Sequence, residues 1–247
     1  MMNKPKKTVC WFSAGVSSFV AGWLMRNEID EYLYIDIKDQ HPDTHRFIDD
    51  CSLILGKPIK KLKSTQYSTV QECIEAYGHV GNLRTGFYPC TNWLKKRVRK
   101  KWEYEHRDYE LTYVWGMDLA EKNRAERLCE GMPEFMHRFP LIEHGLTKQD
   151  AHAICSELGL KRPMMYDLGY SNNNCIGCVK GGAGYWNKIR KDFPKVFEDR
   201  ARMERRIGNT ILHNADGPIW LDELDENAGR MTDEIMDDCS IFCQLVL

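Results

Sequence analysis

The segment TVCWFSAGVSSFVAGWLM, residues 8–25, contains a strand pattern, a loop of small residues and a helix pattern in immediate succession. TVCWF predicts a short strand, and SSFVAGWLM has the apolar spacing of a helix. Small residues between them allow backbone N–H groups to converge on an anion, and the helix N-terminus adds a partial positive charge. A tight turn between a strand and a helix has the same composition, so this stretch alone leaves both interpretations open. The candidates for binding a phosphate are Ser13, Ala14, Gly15, Ser17 and Ser18.

The alternation of strand and helix patterns continues through the first half of the chain. Further strands are predicted over 32–36, in PIKKLK and over 111–117, and further helices over 44–55, in TVQECIEAY, over 91–105 and in AEKNRAERLCEG. Strands separated by helices of this length indicate right-handed crossovers and therefore a doubly wound, mostly parallel α/β sheet. Ligands bind outside the carboxyl ends of the strands in such sheets. The loops SAGVSS and GMDLAEKNR both follow strands, so we expect them to meet at that edge.

The sequence changes in character from about residue 140. LTKQDAHAICSELGL begins with Thr147, which has an acidic residue three positions later in the spacing of a capping box. The loop GYSNNNCIGCVKGGAGYW follows, and then a charged helix over 186–206 that a proline interrupts. We expect an α/β core over residues 1–140 and a C-terminal, cysteine-containing elaboration of helices and loops over 141–247, packed together as one domain.

The overall composition excludes several classes of protein. The 247 residues carry 35 basic and 36 acidic side chains and a net charge of −1, so no global field directs the chain to nucleic acid or membrane. No apolar run approaches the roughly 20 residues that span a bilayer, and the N-terminus lacks the apolar core of a secretory signal. We therefore expect a cytoplasmic protein without a membrane partner.

The ten cysteines indicate metal, cluster or redox chemistry, because a reducing compartment does not favour a disulfide framework. Cys175 and Cys178, in CIGC, have the spacing that lets two thiolates face one metal or cluster. The further candidates are Cys90, which precedes a predicted helix where a lowered thiol pKa is favoured, and Cys239 and Cys243 near the C-terminus. The cysteines that fall within strand or helix patterns, and are predicted to lie in the core, are Cys10, Cys51, Cys73, Cys129 and Cys155.

The segment KKRVRKK, residues 95–101, is a local basic cluster. Lys95, and Arg124 on the helix after WGMD, supply cations of the kind that nucleotide phosphates require. A solvated helix face is the simplest alternative for the cluster. A third interpretation is a surface that grips the backbone of tRNA or another nucleic acid, with Trp93 and Trp102 nearby.

Six segments occur in the order found in the phosphoadenosine phosphosulfate (PAPS) reductase family, which belongs to the PP-loop (ATP pyrophosphatase) superfamily. The chain resembles this family over nearly its whole length, and especially its compact phage and bacterial members. The segments that carry the resemblance are SAGVSS, HPDTHRF, CTNWLKK, GMDLAEKNR, FPLIEHGLTKQDA and the Cys-x-x-Cys region GYSNNNCIGCVKGGAGYW.

The resemblance implies a five-stranded α/β core that binds an adenine nucleotide, either ATP or a sulfonucleotide (PAPS or APS), at the carboxyl edge of the sheet. Lys95 and Arg124 would neutralise phosphate or sulfate oxygens during catalysis. The positions that correspond to the family's nucleotide-binding segments are Ser13, Ala14, Gly15, Ser17, Ser18 and Asp36.

The resemblance also implies a 4Fe-4S cluster, with zinc as the alternative metal, held by Cys90, Cys175 and Cys178 together with Cys239 or Cys243. Two departures from the family pattern bear on the chemistry. The loop has Ala14 and Ser17 where relatives have glycine and aspartate, so it offers no carboxylate to a magnesium ion. The C-terminal DDCSIFCQLVL keeps cysteines but lacks the Glu-Cys-Gly-Leu-His of the true reductases.

Three functions follow as hypotheses. The first is adenylation of an acceptor oxygen by ATP, followed by sulfur transfer at the cysteine site. The second is thiol-dependent reduction of a sulfonucleotide, with Cys239 or Cys243 as the nucleophile. The third is a non-catalytic nucleotide-binding module stabilised by zinc. The acceptor, for which tRNA or a nucleobase is a candidate, and the formation of a homodimer are left open by the sequence.

Overall fold

The computed structural model of the protein describes residues 4–81 and 86–230, so Cys239 and Cys243 lie outside the described residues. Five strands form one sheet in the order β3-β2-β1-β4-β5, and every neighbouring pair is parallel. This arrangement confirms the predicted parallel α/β fold. The strands are β1 (Lys6–Phe12), β2 (Glu31–Ile35), β3 (Ile59–Leu62), β4 (Glu110–Val114) and β5 (Met136–Arg138).

Helices connect the strands and continue after the sheet is complete. A π-helical turn over Thr91–Lys96 leads directly into α4, and 3₁₀ turns lie at Leu119–Glu121 and Leu221–Glu223. A two-stranded antiparallel hairpin, β6 (Leu212–Asn214) and β7 (Gly217–Ile219), follows the last α-helix. The α-helices are α1 (Val16–Leu24), α2 (Asp43–Leu55), α3 (Val70–Tyr77), α4 (Arg97–Glu105), α5 (Lys122–Gly131), α6 (Pro140–Glu143), α7 (Lys148–Glu157), α8 (Met164–Asp167), α9 (Ala183–Asp192) and α10 (Pro194–Ile207).

The central strand β1 separates two hydrophobic cores. Val9 and Trp11 pack on one face of the sheet, and Cys10 and Phe12 pack on the other. Successive side chains of a strand point to opposite faces, so a strand covered on both sides is apolar at consecutive positions. The continuous apolar run in TVCWF follows from this double coverage.

The predicted elements agree with the structure where the local pattern is strong. The helix predicted from Thr147 begins there with a capping box, and the charged helix predicted over 186–206 divides into α9 and α10 at Pro194. The residues did not predict β5 or the β6–β7 hairpin, because each of these strands has only three residues and no clear alternation. No helix within the described ranges is long and apolar enough to cross a membrane.

Four of the five cysteines that were predicted to lie in the core are buried: Cys10, Cys51, Cys73 and Cys155. The prediction is wrong for Cys129, which is only partly buried. Cys129 lies near the C-terminal end of α5, a strongly charged helix with few apolar residues to cover it.

Candidate functional site

A cleft opens at the carboxyl edge of the sheet, where β1, β2 and β4 end. Its walls come from the loop after β1, the π-helical turn before α4, the segment after β4 and the loop that precedes the Cys-x-x-Cys turn. The predicted site residues that line it are Ser13, Ser18, Lys95, Arg124 and Cys175. The two loops expected to meet at this edge therefore do meet there, because parallel strands present their carboxyl ends on one side.

The loop after β1 is closed by hydrogen bonds around one serine. The Ser13 N–H and the Ser13 hydroxyl both donate to Ser18 Oγ, at 3.2 and 3.1 Å. The Ser18 hydroxyl in turn donates to the Gly15 carbonyl at 2.9 Å. Ser13 and Ser18 thus place two hydroxyl groups and the start of α1 against the cleft. Such an arrangement suits an anion at a helix N-terminus.

Ala14 holds the conformation of this loop. Its φ of +61° lies in the left-handed region, which is unfavourable for a residue with a side chain. Its carbonyl accepts a hydrogen bond from Asn173 Nδ2 at 2.9 Å, and the same amide nitrogen lies 3.2 Å from Thr44 Oγ1. Asn173 is buried. Through these two hydrogen bonds it connects the loop to α2 and to the segment before the cysteines. Gly15 has ordinary extended geometry, with φ −101°.

Four of the six residues predicted to bind the nucleotide do not line the cleft: Ala14, Gly15, Ser17 and Asp36. Ser17 is buried in the first turn of α1 and is absent from the cleft wall. Asp36 follows β2, where its N–H donates to the Leu62 carbonyl at 2.7 Å. The carboxylate of Asp36 lies 3.6 Å from His45 Nε2, outside the wall of the cleft.

Lys95 and Arg124 bring two cations to the cleft wall. Arg124 is 5% exposed and forms an ion pair with Glu121, which also lines the cleft. Glu121 additionally accepts the N–H of Asp118, so a capping box at the start of the 3₁₀ turn positions it. The Glu121 carboxylate therefore holds the guanidinium in place and offsets part of its charge.

Aromatic side chains that the sequence reasoning missed form another part of the wall. Trp11, Tyr34 and Trp115 line the cleft, and each lies at or next to the carboxyl end of a strand. The Tyr34 hydroxyl donates to Gln40 Oε1, and Trp115 Nε1 donates to His137 Nδ1 at 3.1 Å. Burial lowers the pKa of His137, which favours the neutral ring as an acceptor. The sequence offered one clue to these three residues, namely that each lies at the carboxyl end of a predicted strand. The carboxyl ends of adjacent parallel strands lie at the same edge of the sheet.

A second, small cavity is lined by Cys90, Cys175 and Cys178. The structure thus brings together three of the cysteines that were predicted as ligands, although Cys90 is 85 positions before Cys175 in the sequence. Lys95 and Cys175 line both cavities. The thiol-lined cavity and the larger cleft therefore share part of a wall.

One tyrosine hydroxyl makes hydrogen bonds to both cysteines of the Cys-x-x-Cys turn. The Tyr185 hydroxyl accepts the Cys178 N–H at 2.9 Å and donates to the Cys175 carbonyl at 3.2 Å. Gly177 has φ +67°, a conformation that favours glycine, and its position permits the turn. The Ile176 N–H donates to the Asp39 carbonyl at 2.7 Å.

A metal site is incomplete in the part of the chain that the structure describes. Among those residues, no three His, Cys, Asp or Glu side chains are grouped closely enough to hold a metal ion. The three thiols share a cavity, but a structural zinc or a 4Fe-4S cluster takes four ligands. The remaining predicted ligands, Cys239 and Cys243, lie outside the described residues, as does the predicted catalytic role of Cys243.

Comparison with known proteins finds matches among solved structures. No protein-family model and no curated protein sequence matches the chain. The structure is similar to that of phosphoadenylyl-sulfate (PAPS) reductase from Candida auris in its phosphate complex, with a TM-score of 0.48 and 12% sequence identity. The likeness covers 72% of this chain and 83% of that chain.

Proposed function

We propose that the protein is a PP-loop enzyme of the PAPS reductase type that binds ATP in the cleft and adenylates an acceptor oxygen. The observation that carries this proposal is the composition of one wall, in which the loop after β1, two cations and a cysteine converge. The aromatic side chains of Trp11, Tyr34 and Trp115 offer flat surfaces to a purine ring.

The adenylation step is a displacement at phosphorus. The acceptor oxygen attacks the α-phosphorus, the bond from that phosphorus to the bridging oxygen breaks, and pyrophosphate leaves with the electron pair. Lys95 and Arg124 would stabilise the charge that develops on the phosphate oxygens, and the N-terminus of α1 would add its partial positive charge. The loop itself has no carboxylate for magnesium, so a metal ion would be held mainly by the nucleotide phosphates.

The neighbouring thiols support sulfur transfer as the second step. A sulfide ion would attack the carbon that carries the adenylated oxygen. The carbon–sulfur bond forms, the carbon–oxygen bond breaks and AMP leaves with the electron pair, so the acceptor exchanges oxygen for sulfur. Cys175 lines both cavities and would stand between the sulfur donor and the nucleotide. A 4Fe-4S cluster would need a fourth ligand from Cys239 or Cys243, and its chemistry would be to hold or deliver the sulfur atom.

The test is pyrophosphate release from ATP by protein purified without oxygen, alongside the equilibrium binding of ATP. We expect binding by the wild type and weaker binding after Lys95→Met, because a phosphate would lose a cation. Lys148→Met is the control, since Lys148 hydrogen-bonds to Asn172 outside the cleft wall. Absence of ATP binding at millimolar concentration would rule the proposal out.

Sulfonucleotide reduction is the second candidate, and the position of Cys175 in the cleft wall favours it. A thiolate would attack the sulfonate sulfur and release the nucleotide, and a second thiol would then release sulfite and form a disulfide. Sulfite release from a sulfonucleotide, lost in Cys175→Ser, would support this reaction. Iron and sulfide content separates both enzymatic proposals from a zinc-stabilised binding module, which would contain one zinc and show neither activity.

A further inference from the structure

A separate groove lies between the loop after β3 and the helical segment that begins α4. The loop, residues 63–66, contributes Lys63 and polar side chains to one wall. Trp93, Arg97 and Lys101 contribute the other wall, and no acidic side chain lines the groove. We call this feature the basic groove.

The two segments that form the basic groove are rich in lysine and arginine and contain no acidic residue. Residues 60–66 and 93–101 together contain nine lysines and arginines and no aspartate or glutamate, in a protein of net charge −1. Three of the nine, Lys63, Arg97 and Lys101, line the groove, whereas Arg99 is paired with Glu103 and Lys61 with Asp49. Lys63 and Arg97 are exposed and form no ion pair with any residue in the ranges 4–81 and 86–230. Lys101 has a single contact of 4.0 Å with Glu105, and both side chains are exposed. Cations without neighbouring carboxylates favour a polyanionic partner.

An aromatic side chain orients one of these cations. The Arg97 guanidinium carbon lies 3.3 Å from the centroid of the Trp93 ring, which is a stacked cation–π contact. Tyr67 packs edge-on against the same ring, with the centroids 5.5 Å apart. Stacking restricts the long side chain while leaving its N–H groups able to bind phosphate oxygens in pairs. A planar guanidinium is also a surface on which nucleic-acid bases stack.

The basic groove and the cleft lie on the same edge of the sheet. The loop at 63–66 follows the carboxyl end of β3, and the cleft lies at the carboxyl ends of its parallel neighbours. The π-helical turn Thr91–Lys96 carries Trp93 into the groove wall and Lys95 into the cleft wall. A polymer bound along the groove would therefore lie beside the cleft.

We infer that the basic groove binds a single-stranded nucleic acid through its phosphate backbone, with base stacking at Arg97 and Trp93. Single-strand sites combine a cationic groove with stacking side chains, and both features are present here. An acidic protein would use the cations but not the stacked pair. That the bound strand presents the acceptor to the cleft rests on the proposed function, whereas strand binding itself does not.

The experiment measures fluorescence anisotropy of a labelled oligothymidylate of about 12 nucleotides, within the 4–16 nucleotides of known single-strand sites. The test variant is K63Q/R97Q/K101Q, and the matched control is K191Q/K195Q/R202Q on α9 and α10, which removes the same charge elsewhere. Losing three phosphate contacts should reduce the slope of log K against log salt by about 2 and weaken binding at least about tenfold at low salt. The control should keep the wild-type slope and affinity.

A second variant separates stacking from charge. Arg97→Lys keeps the cation but loses the planar group, so affinity should fall while the salt slope stays unchanged. Equal effects of the groove and control variants would overturn the inference. Tighter binding of a duplex, or equal competition by polyglutamate at matched charge, would also overturn it.

Two further measurements keep this result distinct from the proposed function. Urea unfolding of each variant should give the wild-type midpoint, since the substituted side chains are exposed. ATP binding should survive in the groove variant. A wild type that binds the oligonucleotide but not ATP would leave the groove inference standing and remove the proposed adenylation.

Discussion

Gly116 shows how closely single residues determine the cleft. A Cβ atom built on Gly116 would lie 2.4 Å from both the Cα and the backbone nitrogen of Ser18. The segment after β4 therefore touches the backbone of the loop after β1, with no room for a side chain. Such contact with main-chain atoms cannot be relieved by a rotamer change. It sets the separation of the two loops that line the cleft.

We predict that Gly116→Ala lowers the free energy of unfolding by about 1–3 kcal/mol, the usual cost of overpacking, and weakens ATP binding. Gly208→Ala is the comparison, because its φ is +66° and no atom lies within 4 Å of the added Cβ. That variant should lose about 1–2 kcal/mol through the left-handed conformation alone and keep its ATP affinity. Urea denaturation and calorimetric titration measure the two effects. Unchanged ATP binding in Gly116→Ala would contradict the assigned role.

At the scale of elements, a buried ion pair joins α10 to the cysteine turn and to α3. Arg200 binds the Asp39 carboxylate, lies 3.5 Å from the Gly177 carbonyl and donates to Gln71 Oε1 at 3.0 Å. The other oxygen of Asp39 accepts the first N–H of α3, from Val70, at 2.8 Å. A carboxylate at a helix N-terminus is favourable, and the guanidinium neutralises its remaining charge. Three elements distant in sequence are thus fixed around the turn that carries Cys175 and Cys178.

Arg200→Met should destabilise the protein by about 3–5 kcal/mol, because it leaves the buried Asp39 carboxylate without its cation. Lys195→Met on the same helix is the matched control, since the Lys195–Asp199 pair is exposed and such pairs contribute about 0–1 kcal/mol. The free energy of unfolding in urea measures both. Equal losses in the two variants would show that the buried pair does not fix these elements.

At the scale of the whole molecule, one buried carboxyl group couples stability to pH. Glu204 is 0% exposed, and its two oxygens accept the N–H groups of Ile211 and Leu221 at 2.5 and 2.8 Å. It thereby attaches the segment containing the β6–β7 hairpin to α10. Burial raises the pKa of Glu204 from 4.5 to about 7, although the two N–H donors act in the opposite direction.

The folded protein therefore binds a proton that the unfolded chain releases between pH 4.5 and about 7. The stabilising contribution is complete below pH 4.5 and is lost as the pH rises through 7. We predict that Glu204→Gln removes this decline. His137, whose pKa burial lowers, works in the opposite direction, so the wild-type profile must be compared with that of the variant. Parallel profiles of unfolding free energy from pH 4.5 to 8 would contradict the prediction.

Much of the fold follows from local sequence. The double-faced apolar run of β1, the small-residue loop and the capping box at Thr147 are encoded within a few positions, and the structure agrees with each. The Cys-x-x-Cys spacing also identified two thiols that share a cavity. The short strands β5, β6 and β7 were missed because three residues carry little periodic signal.

The sequence by itself determined the parallel α/β fold and the edge of the sheet at which the cleft opens, because the periodicity of strands and helices is a local property. The sequence named Cys90 with Cys175 and Cys178, and in the structure the three line one cavity. Only the tertiary structure decided that Trp115 lines the cleft and that Asp36 does not. The tertiary structure alone also decided that Asp39 forms an ion pair with Arg200, 161 residues later in the sequence. Contacts between residues so distant in sequence depend on where each helix is positioned on the sheet. The packing of the whole core sets that position.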